Sequence, residues 1–163
     1  MKALRPVSAI SPGVLGVTGV ETGEILQGIC EKTGPRCLIA IDALASRRVS
    51  RLCRTIQMAD TGIVPGSGVG NRRFAINREN MGRPVIAVGV PTVVDAATLA
   101  ADIVEDSGQE VDEERLRQYE RRLIVTPREI DSQISFISKV VAYGINLALQ
   151  RDIGVEDIDL FLS

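Results

Sequence analysis

Histidine is absent from all 163 residues. Within this chain that removes the Ser-His-Asp and Cys-His nucleophile systems and every zinc site built on imidazole. Acid–base chemistry is left to Asp, Glu, Lys, Tyr or Cys. Tryptophan is also missing and aromatic residues make up 3% of the sequence, too few for the stacked platforms that hold single-stranded nucleic acid. Neither sign of charge dominates: 19 Lys and Arg stand against 21 Asp and Glu, with a pI near 5.3. No global basic field therefore draws the chain to nucleic acid or to a membrane surface. No apolar run nears the roughly 18 residues of a membrane span, and no signal-peptide h-region follows Met1 and Lys2. Cys30, Cys37 and Cys53 form no C-x-x-C pair. Each falls in an apolar segment, which predicts buried free thiols and a reducing, intracellular setting. No metal and no cofactor is expected.

What is present is the composition of a globular domain, 45% hydrophobic and 25% charged, with the length of one domain over residues 1–163. The chain is organised around CLIAIDALA, residues 37–45. Its apolar run predicts a strand buried on both faces of an α/β sheet, with Asp42 where the strand stops. The carboxyl ends of strands are where such sheets collect ligands and catalytic groups. On the residues alone, Asp42 is either a cap for the following turn or a catalytic group.

Before that strand, residues 7–10 read as a short strand, and Thr18 with Glu21 has capping-box spacing ahead of an apolar helical face at Ile25, Leu26 and Ile29. With the strand at 37–45 they predict a βαβ unit. Arg47, Arg51 and Arg54 share a face if their segment is helical, read as a solvated, salt-bridged surface. A strand is expected over residues 55–59. DTGIVPGSGVGNRR, residues 60–73, carries four glycines but fits neither the dinucleotide fingerprint nor a P-loop. It is either an anion nest beside Arg72 and Arg73 or a long turn. PVIAVGV, residues 84–90, reads as a third strand. A helix is expected from Pro91 and Thr92, with Asp95 as the acidic partner of its cap. Residues 102–120 read as an acidic surface connection. Thr126, Pro127 and Glu129 signal a last helix running to Gln150, with Ile130, Ile134, Ile137, Val141 and Ile145 on its inner face and Asp131 in its first turn.

Five segments, RPVSAISPGVLGVTGVET (5–22), IAIDALA (39–45), DTGIVPGSGVGN (60–71), PVIAVGVPTVVDA (84–96) and VTPREID (125–131), resemble the germination proteases of spore-forming bacteria, in the same order along the chain. The resemblance implies an endopeptidase made as a zymogen, which degrades small acid-soluble spore proteins in the forespore or spore core. It implies a three-layer αβα fold with a mixed, mostly parallel sheet, similar to the hydrogenase-maturation endopeptidases, assembled as a homotetramer. It also implies chemistry by two aspartates outside any pepsin-like motif, so the Asp-Thr-Gly at residues 60–62 is a false lead. Asp42 matches one of these aspartates. The other belongs to a turn with no counterpart here, and Val64 stands where many relatives carry His. Asp60, Asn71 and Asp95 are candidate supporting groups.

Three functions follow as expectations. The first is the C-terminal part of a germination protease, inactive alone, whose substrates are the spore proteins and which touches neither nucleic acid nor membrane. The second is a catalytically silent relative serving in assembly or binding. The third is a phosphate- or nucleoside-handling enzyme using residues 66–71. Exposed apolar surface and self-association are expected of a partial domain.

Overall fold

The computed structural model describes residues 4–67, 73–117 and 123–162. The chain divides into two compact units, one of residues 12–128 and one joining residues 1–11 to residues 129–163.

The larger unit is built on a long strand. Residues 85–95, VIAVGVPTVVD, are rich in β-branched side chains, which suit a pleated surface, and form β3 (Val85–Asp95). Along one edge of β3 runs β1 (Leu38–Ser46), parallel, in register from Leu38↔Val85 to Ser46↔Val94. Two short antiparallel strands share the other edge: β2 (Gln57–Ala59), with Gln57 opposite Gly89, and β4 (Ile124–Val125), with Val125 opposite Val94. The class is mixed α/β with a mixed sheet, and its longest ladder is the parallel one.

The expected helix start at Pro91 and Thr92 is corrected: both lie inside β3, and the helix begins at Ala96. The reason is a bulge. Leu44 pairs with Pro91 and Ala45 with Val93, so Thr92 is an extra residue, and proline's missing N–H is tolerated where the ladder is already irregular. The carbonyls here find other donors, the Cys53 N–H on Pro91 (2.7 Å) and the Thr126 hydroxyl on Thr92 (2.9 Å).

One face of the sheet carries the main core cluster. Val85, Ile76 and Met81 are buried together, with Leu38, Ala40, Ile63, Phe74 and Leu26 packed around them. Leu26 comes from α2 (Thr22–Thr33), which presses closely because Gly23 lies against the Phe74 ring. Gly62, at φ +84°, abuts the backbone of Ile76 and Asn77, and Ile63 and Ile76 exchange two backbone hydrogen bonds. At the foot of β3, Arg83 donates to the carbonyls of Met81, Cys30 and Pro35, closing the end of α2 onto the sheet. The short helices α1 (Leu15–Thr18), α3 (Arg78–Met81) and α5 (Glu113–Arg117) complete the unit with α4 (Ala96–Asp106).

Several local expectations change. Thr18 spends its hydroxyl on the carbonyls of Val14 and Val20 and caps nothing; α2 begins beyond Glu21 without a side-chain cap. The arginine segment forms one 3-10 turn, Val49–Arg51, instead of a helical arginine face. It is moored to α4 by Asp102, which accepts from the Val49 N–H (2.7 Å), and by Arg48, which pairs with Asp102 and Glu105. The thiols are free, but Cys37 is exposed, Cys53 half-buried and only Cys30 buried. Among the described residues no helix is long and apolar enough to cross a membrane.

The smaller unit holds α6 (Ile130–Leu149) and α7 (Val155–Leu162). The expected helix starts later than its signal, at Ile130 and with no side-chain cap, and the Thr126 hydroxyl donates instead to the Thr92 carbonyl. Val141 and Ile158 are buried, and the Tyr143 hydroxyl donates to the Asp159 carboxylate across the two helices. Ile134, expected on the inner face, is exposed. Residues 7–10 form no strand, so the expected βαβ unit does not exist. The backbone N–H and carbonyl of Arg5 pair instead with the side chain of Gln150, at 2.7 and 3.0 Å.

Candidate functional site

Asp42 does not end its strand. Because β3 continues to Asp95, the parallel ladder carries β1 four residues further, to Ser46, and Asp42 stands mid-strand opposite Gly89. Nor is β1 buried on both faces: exposed and half-buried positions alternate along its middle. Alternation puts Asp42 on the face of Leu38, Ala40 and Leu44, the face that carries the core. Its side chain is half-buried, and its Oδ1 accepts the Ala43 N–H at 2.8 Å. Burial raises the carboxyl above the ordinary 3.8, against a smaller lowering by the Ala43 N–H. Among the described residues no cation pairs with it. Such a group keeps its proton to higher pH than a solvated aspartate does and is suited to take or give one.

The supporting candidates lie elsewhere. Asp60 is exposed, one position past the end of β2. With Gln57 level with Gly89, Asp60 falls three positions back and two strands across from Asp42, about 14 Å at ordinary strand spacings. Asp95 closes β3 six positions beyond Gly89, about 20 Å along the sheet. Its Oδ1 accepts the Ala97 N–H at 2.8 Å, so it is itself the N-cap of α4, where a cap partner was expected. Asn71, with the anion nest proposed around it, falls in residues 68–72 and lies outside the described residues. Among the described residues no three His, Cys, Asp or Glu side chains gather as a metal site.

The immediate surroundings of Asp42 were not picked out from the sequence. Gly89 is its ladder partner, and Gln57 pairs with Gly89 from the far side, giving a row Asp42, Gly89, Gln57. A side chain at position 89 would run into Leu44. The available signal was a glycine interrupting a run of β-branched residues, which marks a close approach.

Comparison with known proteins places the chain in a family. The germination protease family profile matches residues 1–115. The chain is 48% identical to a germination protease of Clostridium perfringens, over 99% of this chain and 57% of that protein. It is 44% identical to one of Clostridium tetani, over 99% and 58%, and 38% identical to one of Bacillus pumilus, over 94% and 56%. The chain thus spans a little over half the length of these curated relatives. With the family profile matched over most of the chain and relatives this similar across nearly all of it, the chain belongs to the germination protease family.

Proposed function

We propose that this chain carries one of the acid–base carboxylates, Asp42, of an endopeptidase that degrades small acid-soluble spore proteins. The supporting observation is a half-buried carboxylate with no cation beside it among the described residues, on a strand of a chain whose relatives are named germination proteases. A carboxyl held above its ordinary range transfers protons nearer neutral pH than a free one. Peptide hydrolysis by a carboxylate pair needs one member to hold a proton while the other accepts one from water. Asp42 serves as one of the two. Neither Asp60 nor Asp95 is within reach to serve as the other, and both are read as structural. Asp42, not the Asp-Thr-Gly at residues 60–62, is the residue to alter first.

Self-association belongs to the same proposal. Ile41, Met58 and Ile86 are exposed on the sheet face opposite Asp42, a surface suited to a second apolar face.

The test is cleavage of purified small acid-soluble spore protein by this chain joined to the remaining length of a germination protease, which is to supply the second carboxylate, and by the same protein carrying Asp42→Asn. The expected result is cleavage that falls by roughly 100-fold or more in the variant, the usual contribution of an acid–base group. Equal rates would remove Asp42 from the mechanism. No cleavage by either folded protein would favour the silent, assembly role.

A further inference from the structure

Gly89 does not owe its place to backbone conformation, since its φ is not among the positive values in this chain. Any residue adopts that strand geometry, and glycine there is less favourable than alanine. What position 89 needs is space. Asp42 and Gly89 are direct ladder partners, so a side chain at 89 would occupy the seat beside the carboxylate, about 5 Å across the sheet. That seat is already filled. A Cβ at 89 would overlap Leu44 Cδ1 and lie 2.7 Å from its Cγ and 3.1 Å from its Cδ2. Leu44, two residues after Asp42 and on the same face, therefore leans across the ladder onto the bare backbone of Gly89.

We propose that Leu44, seated on Gly89, is a positioning residue for Asp42: its isobutyl group walls one side of the carboxylate with hydrocarbon, and the missing side chain at 89 makes the seat available. The proposal rests on the reading of Asp42 as an acid–base group and adds what prepares it. Burial is the larger of the two influences on Asp42, and Leu44 is an apolar group in the seat across from it. On this face β1 offers Leu38, Ala40 and Leu44, β3 offers Val85, Ala87 and Gly89, and β2 offers Gln57 and Ala59, none of them ionisable. Helix α2, packed on the same face through Leu26, carries Glu24, Glu31 and Lys32, and the segment leading to β3 carries Arg73, Arg78, Glu79 and Arg83. Among the described residues none of these pairs with Asp42. Among the described residues it is the wall, and no neighbouring charge, that sets the protonation of this carboxylate.

The test reads Asp42 directly. Carboxyl carbons of aspartate are isotopically labelled in the whole chain and titrated by NMR, with the Asp42 signal identified by its loss in Asp42→Asn. The expected result is a wild-type midpoint above the ordinary aspartate value, a downward shift in Leu44→Ala, and an unmoved midpoint in Leu44→Met, which restores the hydrocarbon. Gly89→Ala, which evicts Leu44, should shift the midpoint in the same direction as Leu44→Ala. A folded Leu44→Ala protein with the wild-type midpoint would overturn the proposal. Cleavage assays separate the two claims. If Asp42→Asn still cleaves spore protein while Leu44→Ala lowers the midpoint, the wall stands and the catalytic reading fails. If Asp42→Asn is dead and the midpoint ignores Leu44, the reverse holds.

Discussion

Strands β1 and β3 are neighbours in one parallel ladder and read almost alike, yet they live in different surroundings. Val85 and Val94 in β3 are each 1% exposed, whereas Ile41 in β1 is 57% exposed. Strand β3 has partners on both edges; among the described residues β1 has one. Place in the sheet, more than hydrophobicity, decides how dry a strand is. The carboxylate sits on the strand that can bear it. A charge at the centre of β3 would have no water and no partner. On β1 it is half-buried, dry enough to shift its protonation and open enough to be reached.

This contrast can be broken most severely from the centre. Val94→Asp puts an unpaired charge where no solvent reaches, and a loss of about 4 kcal/mol or more, read as loss of cooperative unfolding by circular dichroism, is expected. Val85→Ala leaves a cavity in the core cluster and should cost about 2–3 kcal/mol in a denaturant titration. At the border of the sheet, Asp102→Ala frees the Val49 N–H and leaves Arg48 paired with Glu105 alone. The expected loss there is about 1–2 kcal/mol, with the 3-10 turn gaining hydrogen-exchange rate. On β1 itself, Ile41→Thr should change stability by no more than about 0.5 kcal/mol. If it costs as much as Val85→Ala, the two strands are equally buried and the contrast fails.

The smallest effect is the most informative about Asp42. Its folded carboxyl titrates above the unfolded value of 3.8. Its favourable contribution to stability is therefore full below that value and is lost as pH rises through the folded midpoint. Asp42→Asn, which keeps an acceptor for the Ala43 N–H, should be slightly more stable than wild type near neutral pH. The gain should vanish in acid. Thermal melts across that range check it, and a variant destabilised near pH 7 would mean that the charged form is the one the fold favours.

Much of this fold was legible in local pattern. The β-branched run of β3, the apolar run of β1 and the periodic isoleucines of α6 each declare their element. What hid was set by tertiary partners. Pro91 reads as a helix start, but a bulge makes it a strand residue. Thr126 reads as a cap, but its hydroxyl is taken by Thr92. Residues 7–10 have strand composition and no strand to join. Helix α7 was not foreseen. At the site, Asp42 stood out because a lone carboxylate in an apolar run is conspicuous and because its motif resembles the family's. Gly89 and Leu44 did not, since the closeness of residues 45 positions apart is fixed by register, which one strand's sequence does not contain.

The irregular edge of β3 has a consequence for growth of the sheet. Between β2 and β4, the carbonyls of Pro91 and Thr92 are taken by Cys53 and Thr126. The strands on that side offer three and two residues, against nine along β1. The sheet therefore has one long border and one broken one. Among the described residues, a strand that extends it by more than a few residues finds a border of matching length along β1, and its middle would then run alongside the stretch that carries Asp42.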